Sequence, residues 1–242
     1  MKVIDAFWEK RNLGVDTVEF ETEKGDTLEI IRNTILANEK QYNVVKTRNG
    51  DFEIKQLMSE LGYTYMESMF KLVHQMKMPA VPDAVKRIMD RITYMPMTEE
   101  SEIEMLFSEL DKGIFKTDRI ALDPFFSPEI ANLRYKNWLK DELARGNALT
   151  KGVYDGEIFA FGAYKMLDGN VMQAYLGGMF NDYLNCGLAI PATFKSIQNY
   201  LSLKPKKIVT HFSTNNHNSL MCDISAGYVI KGISDIYIKH KD

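Results

Sequence analysis

The chain has 242 residues, 45% of them hydrophobic and 26% charged, enough to bury a core as one large domain or two small ones. A formal net charge of -3, with both signs interspersed, supplies no field to hold nucleic acid or an anionic membrane. The two cysteines, Cys186 and Cys222, form no C-x-x-C pair, so neither a zinc site nor any other metal site is expected.

At the start of the chain, MKVIDAFWEKRN carries charges throughout and lacks the apolar centre of a secretory signal. No apolar stretch approaches the roughly 18 residues of a membrane span, so a reduced, cytoplasmic setting is expected. Residues 1–75 contain short β-type runs and one helical run. Tyr42 to Thr47 (YNVVKT) reads as a strand ending at the turn pair Asn49-Gly50. From Phe52 to Leu61, apolar Ile54, Leu57, Met58 and Leu61 fall at helix spacing, and Gly62 stops the run. Tyr63 to Val73 is extended again. Pro79, Pro82 and Pro96, followed by the acidic stretch Glu99 to Glu104, predict a connector with short helices over 76–114.

The second half is more regular. Ser127-Pro128-Glu129 predicts a helix start, since Ser caps, Pro suits the first turn and Glu suits the positive end of the dipole. That helix ends near Gly146. Gly152 to Tyr154 and Glu157 to Met166 are strands joined by the hairpin pair Asp155-Gly156. Asp168-Gly169-Asn170 turns the chain into a third strand, Val171 to Met179, which completes an antiparallel meander. Gly187 to Leu203 then has helical spacing, with Pro191 tolerable near its start. Lys207 to Phe212 is a strand, Asn218 to Ala226 a short helix, and Tyr228 to Lys239 a final strand pair or one long strand. A strand–helix–strand crossover needs a parallel pair, so the third and fourth strands of this half are expected side by side and parallel.

An internal repeat accompanies this order. YNVVKTRNGDFEIKQLMSELGYTYMESMFKL and KIVTHFSTNNHNSLMCDISAGYVIKGISDIYIK both run strand, Asn-rich turn, short helix, Gly-Tyr, strand.

The turn from Met179 to Ala189 (MFNDYLNCGLA) opens a helix with small residues, which exposes backbone N–H groups at the positive dipole end. Such a turn suits a pyrophosphate. In its context it resembles the GNAT superfamily of acyl-coenzyme A dependent N-acyltransferases. The family's Gln/Arg-x-x-Gly-x-Gly/Ala turn maps onto Leu184-Asn185-Cys186-Gly187-Leu188-Ala189, with Leu184 in place of the basic or amide residue. Its late motif maps onto Asn216, Ser219, Asp223 and Gly227-Tyr228, with Asp223 where the family has Tyr. Asp118-Arg119, Asp123 to Ser127, Arg134-Tyr135 and Trp138 further resemble the dTDP-fucosamine acetyltransferase branch, which also carries a truncated first half.

The resemblance implies a mixed α/β GNAT fold: a mostly antiparallel central sheet with a splayed parallel strand pair. It divides the chain into a degenerate GNAT-like half (1–75), the connector (76–114) and an acyl-coenzyme A binding domain (115–242). The implied activity is acetyl-CoA dependent N-acetylation of a small amine, a nucleotide-linked amino sugar being the candidate acceptor. The alternative is a coenzyme A binding or regulatory module without catalysis. No nucleic acid or membrane partner is expected, and a homodimer is left open. Cofactor-binding positions are Leu176, Gly177, Gly178, Met179 and Phe180 along the third strand, Leu184, Asn185, Cys186, Gly187, Leu188 and Ala189 in the turn, and Asn216. A backbone N–H near Met179 or Phe180 is expected to hold the oxyanion. Arg134, Tyr135 and Trp138 are the substrate-binding candidates.

Catalytic candidates are His211, Tyr228 and Asp223. His211, on the KIVTHF strand, suits a general base at neutral pH. An ordinary Asp223 is ionised at pH 7 and repels a departing thiolate, so its replacement by Asn is expected to leave turnover unchanged or raise it. Otherwise Asp223 is perturbed, Tyr228 or Tyr183 substitutes for it, the thiolate leaves unassisted, or catalysis is lost. His74, His217 and His240 read as surface residues.

Overall fold

The computed structural model describes residues 1–241. The first part of the chain forms β1 (Lys2–Asp5), α1 (Trp8–Leu13), β2 (Thr17–Glu21), α2 (Leu28–Asn38), β3 (Tyr42–Arg48), α3 (Phe52–Glu60) and β4 (Thr64–His74). There follow α4 (Asp83–Met89), β5 (Ile92–Pro96), α5 (Glu100–Asp111), α6 (Arg119–Leu122) and α7 (Pro128–Ala144). The remainder is β6 (Ala148–Tyr154), β7 (Glu157–Leu167), β8 (Val171–Met179), α8 (Ala189–Ser202), β9 (Lys207–Ser213), α9 (His217–Ser225) and β10 (Tyr228–His240).

Local signals explain most boundaries. The Asp51 side chain accepts from the Ile54 N–H at the start of α3, and Ser127 does the same for Ile130 at α7. Asp155 and Gly156, with φ of 51° and 90°, supply the left-handed pair that a tight hairpin requires.

Among the described residues the ten strands join one sheet, in the order β1-β2-β3-β10-β4-β9-β8-β7-β6-β5. Only β2/β3 and β8/β9 run parallel among these neighbours; the other pairs are antiparallel. Alternation along the strands divides the core between two faces. On β3, Val45 packs with α2 and α3 while Val44 packs with α6 and α7; on β4, Leu72 joins α8 and α9 while Met69 joins α6 and α7. The mixed α/β class and the mostly antiparallel sheet with a parallel pair are as the sequence predicts.

The strand order within this sheet carries the main structural consequence. β3-α3-β4 and β9-α9-β10 share the repeated order, but each closing strand lies among the strands of the other unit. β10 is inserted between β3 and β4, pairing Ser234–His240 with the first and Tyr228–Ile238 with the second. β4 in turn covers the edge of β9 through Met69–Val73.

Several expectations need correction. Residues 1–75 hold three helices rather than one. The stretch read as a connector contains β5, paired with β6, and the twelve-residue α5. Of the two readings of the last element, the single long strand is the one found, with a bulge between Ile230 and Gly232. His74 is buried: its Nδ1 accepts from Met76 N–H at 3.0 Å, so Nε2 carries the proton donated to Ala226 O at 3.0 Å. Burial lowers its pKa, in keeping with a neutral ring. His240 is also engaged, stacked on Phe125 and 2.7 Å from Asp123.

Candidate active site

The parallel pairing of β8 and β9 lasts only from Val171–Gln173 against Lys207–Val209. Beyond it the strands separate, and the edge of β8 from Ala174 to Met179 has no strand beside it. A bulge at Tyr175 falls on this stretch, where Ala163 pairs Leu176 and Tyr164 pairs Ala174. Gly177 and Gly178 then strip the edge of side chains. A Cβ on Gly178 would lie 3.0 Å from Ile114 Cγ2, so the α5–α6 loop approaches the strand there. The same loop reaches β9, because the Ser213 hydroxyl donates to Thr117 O at 2.9 Å. The result is a V open along one strand, with the α5–α6 loop spanning its mouth on one face and α8 and α9 flanking the other.

From Leu184 to Ala189 the turn leading into α8 is exposed except at Leu188. Asn185 and Gly187 are left-handed, with φ of 63° and 74°. Among the described residues, no protein acceptor takes the N–H groups of Asn185, Cys186, Gly187, Leu188, Ala189 or Ile190. Six successive free donors at the start of a fourteen-residue helix are an arrangement of the kind that an anion can satisfy. Leu184 is exposed beside it and adds no charge. Phe180 departs from its expected role: its ring is buried with α5 and α7, and its N–H is spent on Phe159 O at 2.8 Å.

The corresponding place in the first half is shut. β2 and β3 stay paired from Thr17–Glu21 against Tyr42–Lys46, so no V opens. The turn before α2 contains Glu23 and Asp26, with Asp26 accepting the Glu23 N–H and Thr27 capping α2. Carboxylates there repel a phosphate.

Asp223, on α9, is half-buried between the two helices that flank the V. No cation or donor partners its side chain among the described residues, and burial pushes its pKa up to about 7. Its negative charge in turn raises the pKa values of Tyr200 on α8 and of Tyr228, each chiefly elevated by burial. Tyr228 itself is enclosed, with its ring edge-on to His74, which corrects the expectation of a donor at an open site. Asn216 starts α9 with its side chain making no cap. His211 lies on β9 with part of its ring open to solvent; desolvation of the rest, then Lys71 and Lys46, lower its pKa.

The substrate candidates on α7 separate. Trp138 packs on Tyr175, the bulged residue, with ring centroids 5.4 Å apart. Tyr135 is buried, tilts against Phe115 of the loop and donates to Asp118. Arg134 is no phosphate grip: its Nε and Nη2 hold buried Glu9 of α1 at 2.6–3.1 Å. Arg134→Ala strands that carboxylate in the core, so a loss of about 3 kcal/mol is expected in urea unfolding, with coenzyme A affinity unchanged in calorimetry. Glu9, Tyr175 and the loop residues Ile114, Phe115 and Thr117 carried no sequence signal.

No protein-family model and no curated protein matches the sequence. Solved structures do. A functionally unknown conserved protein from Staphylococcus epidermidis ATCC 12228 aligns at TM-score 0.61 and 13% identity, over 94% of this chain and 85% of that one. A GCN5-related N-acetyltransferase from Sphaerobacter thermophilus aligns at TM-score 0.55 and 13% identity, over 88% of this chain and 64% of its own, so the chain spans less than two thirds of that relative. A tandem GNAT protein from the clavulanic acid biosynthesis pathway aligns at TM-score 0.53 and 10% identity, over 93% and 75%. The fold is that of the GNAT acetyltransferases. Among the described residues no helix is long and apolar enough to cross a membrane.

Proposed function

We propose that this chain is an acetyl-coenzyme A dependent N-acetyltransferase acting on a small amine, with a nucleotide-linked amino sugar, as in the dTDP-fucosamine branch, the favoured acceptor. The observation that carries this reading is the run of unpartnered N–H groups from Asn185 to Ile190, set beside the bare edge of β8. Those amides suit a pyrophosphate, and the edge from Leu176 to Met179 suits an extended pantetheine pairing like another strand. With Phe180 committed to the sheet, Met179 is the remaining N–H candidate for polarising the thioester carbonyl. The amine nitrogen, already deprotonated, forms the C–N bond. As the carbonyl re-forms, the C–S bond breaks and the protonated Asp223 carboxyl gives its proton to the departing sulfur, while the surplus proton on the new amide nitrogen leaves to water, from which Asp223 is reprotonated for the next turnover.

Residues 1–75 are then a degenerate copy that lends β4 to the second unit, an arrangement consistent with the tandem relative. The near-neutral charge favours a small-molecule partner over nucleic acid or membrane, and free Cys186 and Cys222 suit the cytoplasm.

Calorimetry with acetyl-CoA tests the cradle. Gly187→Glu introduces a charge where the diphosphate lies, and a side chain at a φ of 74°, and is expected to abolish binding. Gly187→Ala meets no atom within 4 Å and should weaken binding only modestly through backbone strain. Unchanged affinity in Gly187→Glu sinks the assignment. Release of thiol on addition of amino-sugar nucleotides separates an enzyme from a module that only binds.

A further inference from the structure

Lys71 and His211 stand directly opposite one another across the β4–β9 pairing. Directly opposed residues of a strand pair share a face, and like charges so placed are unfavourable. Ser213 lies two residues beyond His211 on the same face, and its hydroxyl holds Thr117 of the α5–α6 loop. The pair therefore lies beside the V, on the face that also carries Trp138 and Tyr175. Both side chains are exposed. Among the described residues, no carboxylate pairs with either. The surrounding charges do not relieve them. Lys46 of β3 adds positive charge but is itself held by Glu19 at 2.6 Å and Glu21 at 3.6 Å. Glu67, four residues before Lys71 on the same face of β4, accepts from the Arg119 N–H and is buried.

We propose that Lys71 and His211 form an oxyanion subsite for a phosphoryl or carboxylate group of the acceptor, with the first half of the chain supplying one of its two cations. An ammonium beside an imidazole, which takes up a proton as an anion arrives, gives two donors of one sign, the arrangement that an anion with several oxygens satisfies. Desolvation first, and then the uncompensated Lys71 and Lys46, lower the His211 pKa, and an arriving anion opposes both causes. The role in recognising the acceptor rests on the transferase reading; the anion binding does not.

The test follows the His211 ring by NMR in the full chain saturated with coenzyme A, which occupies the α8 cradle. The resonance is assigned by its absence from His211→Asn. Inorganic pyrophosphate and succinate are added in separate titrations. At least one is expected to shift the resonance and raise the His211 pKa by about one pH unit. Lys71→Gln is expected to weaken that response tenfold or more. A response to pyrophosphate alone assigns a phosphoryl group, and a response to succinate alone a carboxylate. A His211 ring indifferent to both anions, or one that responds equally in Lys71→Gln, overturns the subsite. Failure of coenzyme A to bind overturns the transferase reading instead, and leaves the His211 titration to decide the subsite separately.

Discussion

A chain that begins at Met76 is expected not to fold. Removing residues 1–75 takes away β3 and β4, the two neighbours of β10, and leaves thirteen residues of strand unpaired on both edges. It also uncovers the edge of β9 from Val209 to Ser213 and so the far wall of the V. The α8–α9 core loses Leu72, fully buried in the intact chain, together with Phe70. Burying a large apolar side chain is worth about 1.5–3 kcal/mol, and a whole domain is stable by only about 5–15 kcal/mol. The full loss at Leu72 and a partial one at half-buried Phe70, added to a strand without partners, exceed what the remainder can supply. In urea, the intact chain should show one cooperative transition by circular dichroism and the 76–242 chain none. Adding the separately expressed 1–75 fragment should restore part of the transition. A cooperative 76–242 chain that still binds acetyl-CoA would show that β10 tolerates open edges.

That interdependence is what the sequence conceals. Turn chemistry is local, so Asp155-Gly156, Gly169-Asn170 and Ser127-Pro128 announce their elements without help from distant residues. The small-residue turn before α8 is equally local, and Gly187 and Ala189 can be read from their neighbours alone. Elements that depend on a remote partner are not legible. The face of α2 is blurred because Ile31 and Ile35 are buried while Leu28, Ile30 and Leu36 are exposed, so its periodicity is weak. β5 is a short edge strand ending in Pro96, where only Ile92 is buried, and its composition is that of a connector. Arg134 resembles a ligand-binding residue until Glu9, 125 positions away, is seen to hold it. His74 and His240 have no sequence neighbours that mark them as interior. The insertion of β10 between β3 and β4 follows from no local rule, because a repeat gives the order of elements and not which strand each one pairs with.

Asp223→Asn is expected to stabilise the chain and to slow it. In the folded protein, burial raises the Asp223 pKa from 3.8 to about 7, so the folded state holds this proton more tightly than the unfolded state does. The destabilisation due to ionisation is absent below about pH 3. It grows as the pH rises through 3.8 toward 7 and is complete above that. A shift of about three pH units corresponds to at most about 4 kcal/mol, and partial exposure reduces this toward about 2 kcal/mol. Urea unfolding should therefore show Asp223→Asn more stable than wild type by about 2–4 kcal/mol at pH 8.5 and equal to it near pH 3.5. Turnover should move the other way. Asn has no acidic proton for the departing sulfur, and loss of a positioned general acid typically slows a reaction by about a hundredfold or more. Wild-type turnover should fall as the pH rises above about 7, because only the protonated carboxyl donates, whereas the variant should lack that limb. This reverses the expectation for an ordinary aspartate, whose removal would be neutral or helpful; the difference lies in the missing counter-charge beside a buried carboxyl. Full turnover in the variant, together with the expected stabilisation, would leave Asp223 a buried acid without a part in the chemistry. Loss of turnover with no change in stability at pH 8.5 would mean that ionising Asp223 costs the fold nothing, so that its pKa is not raised and it is no proton donor at neutral pH.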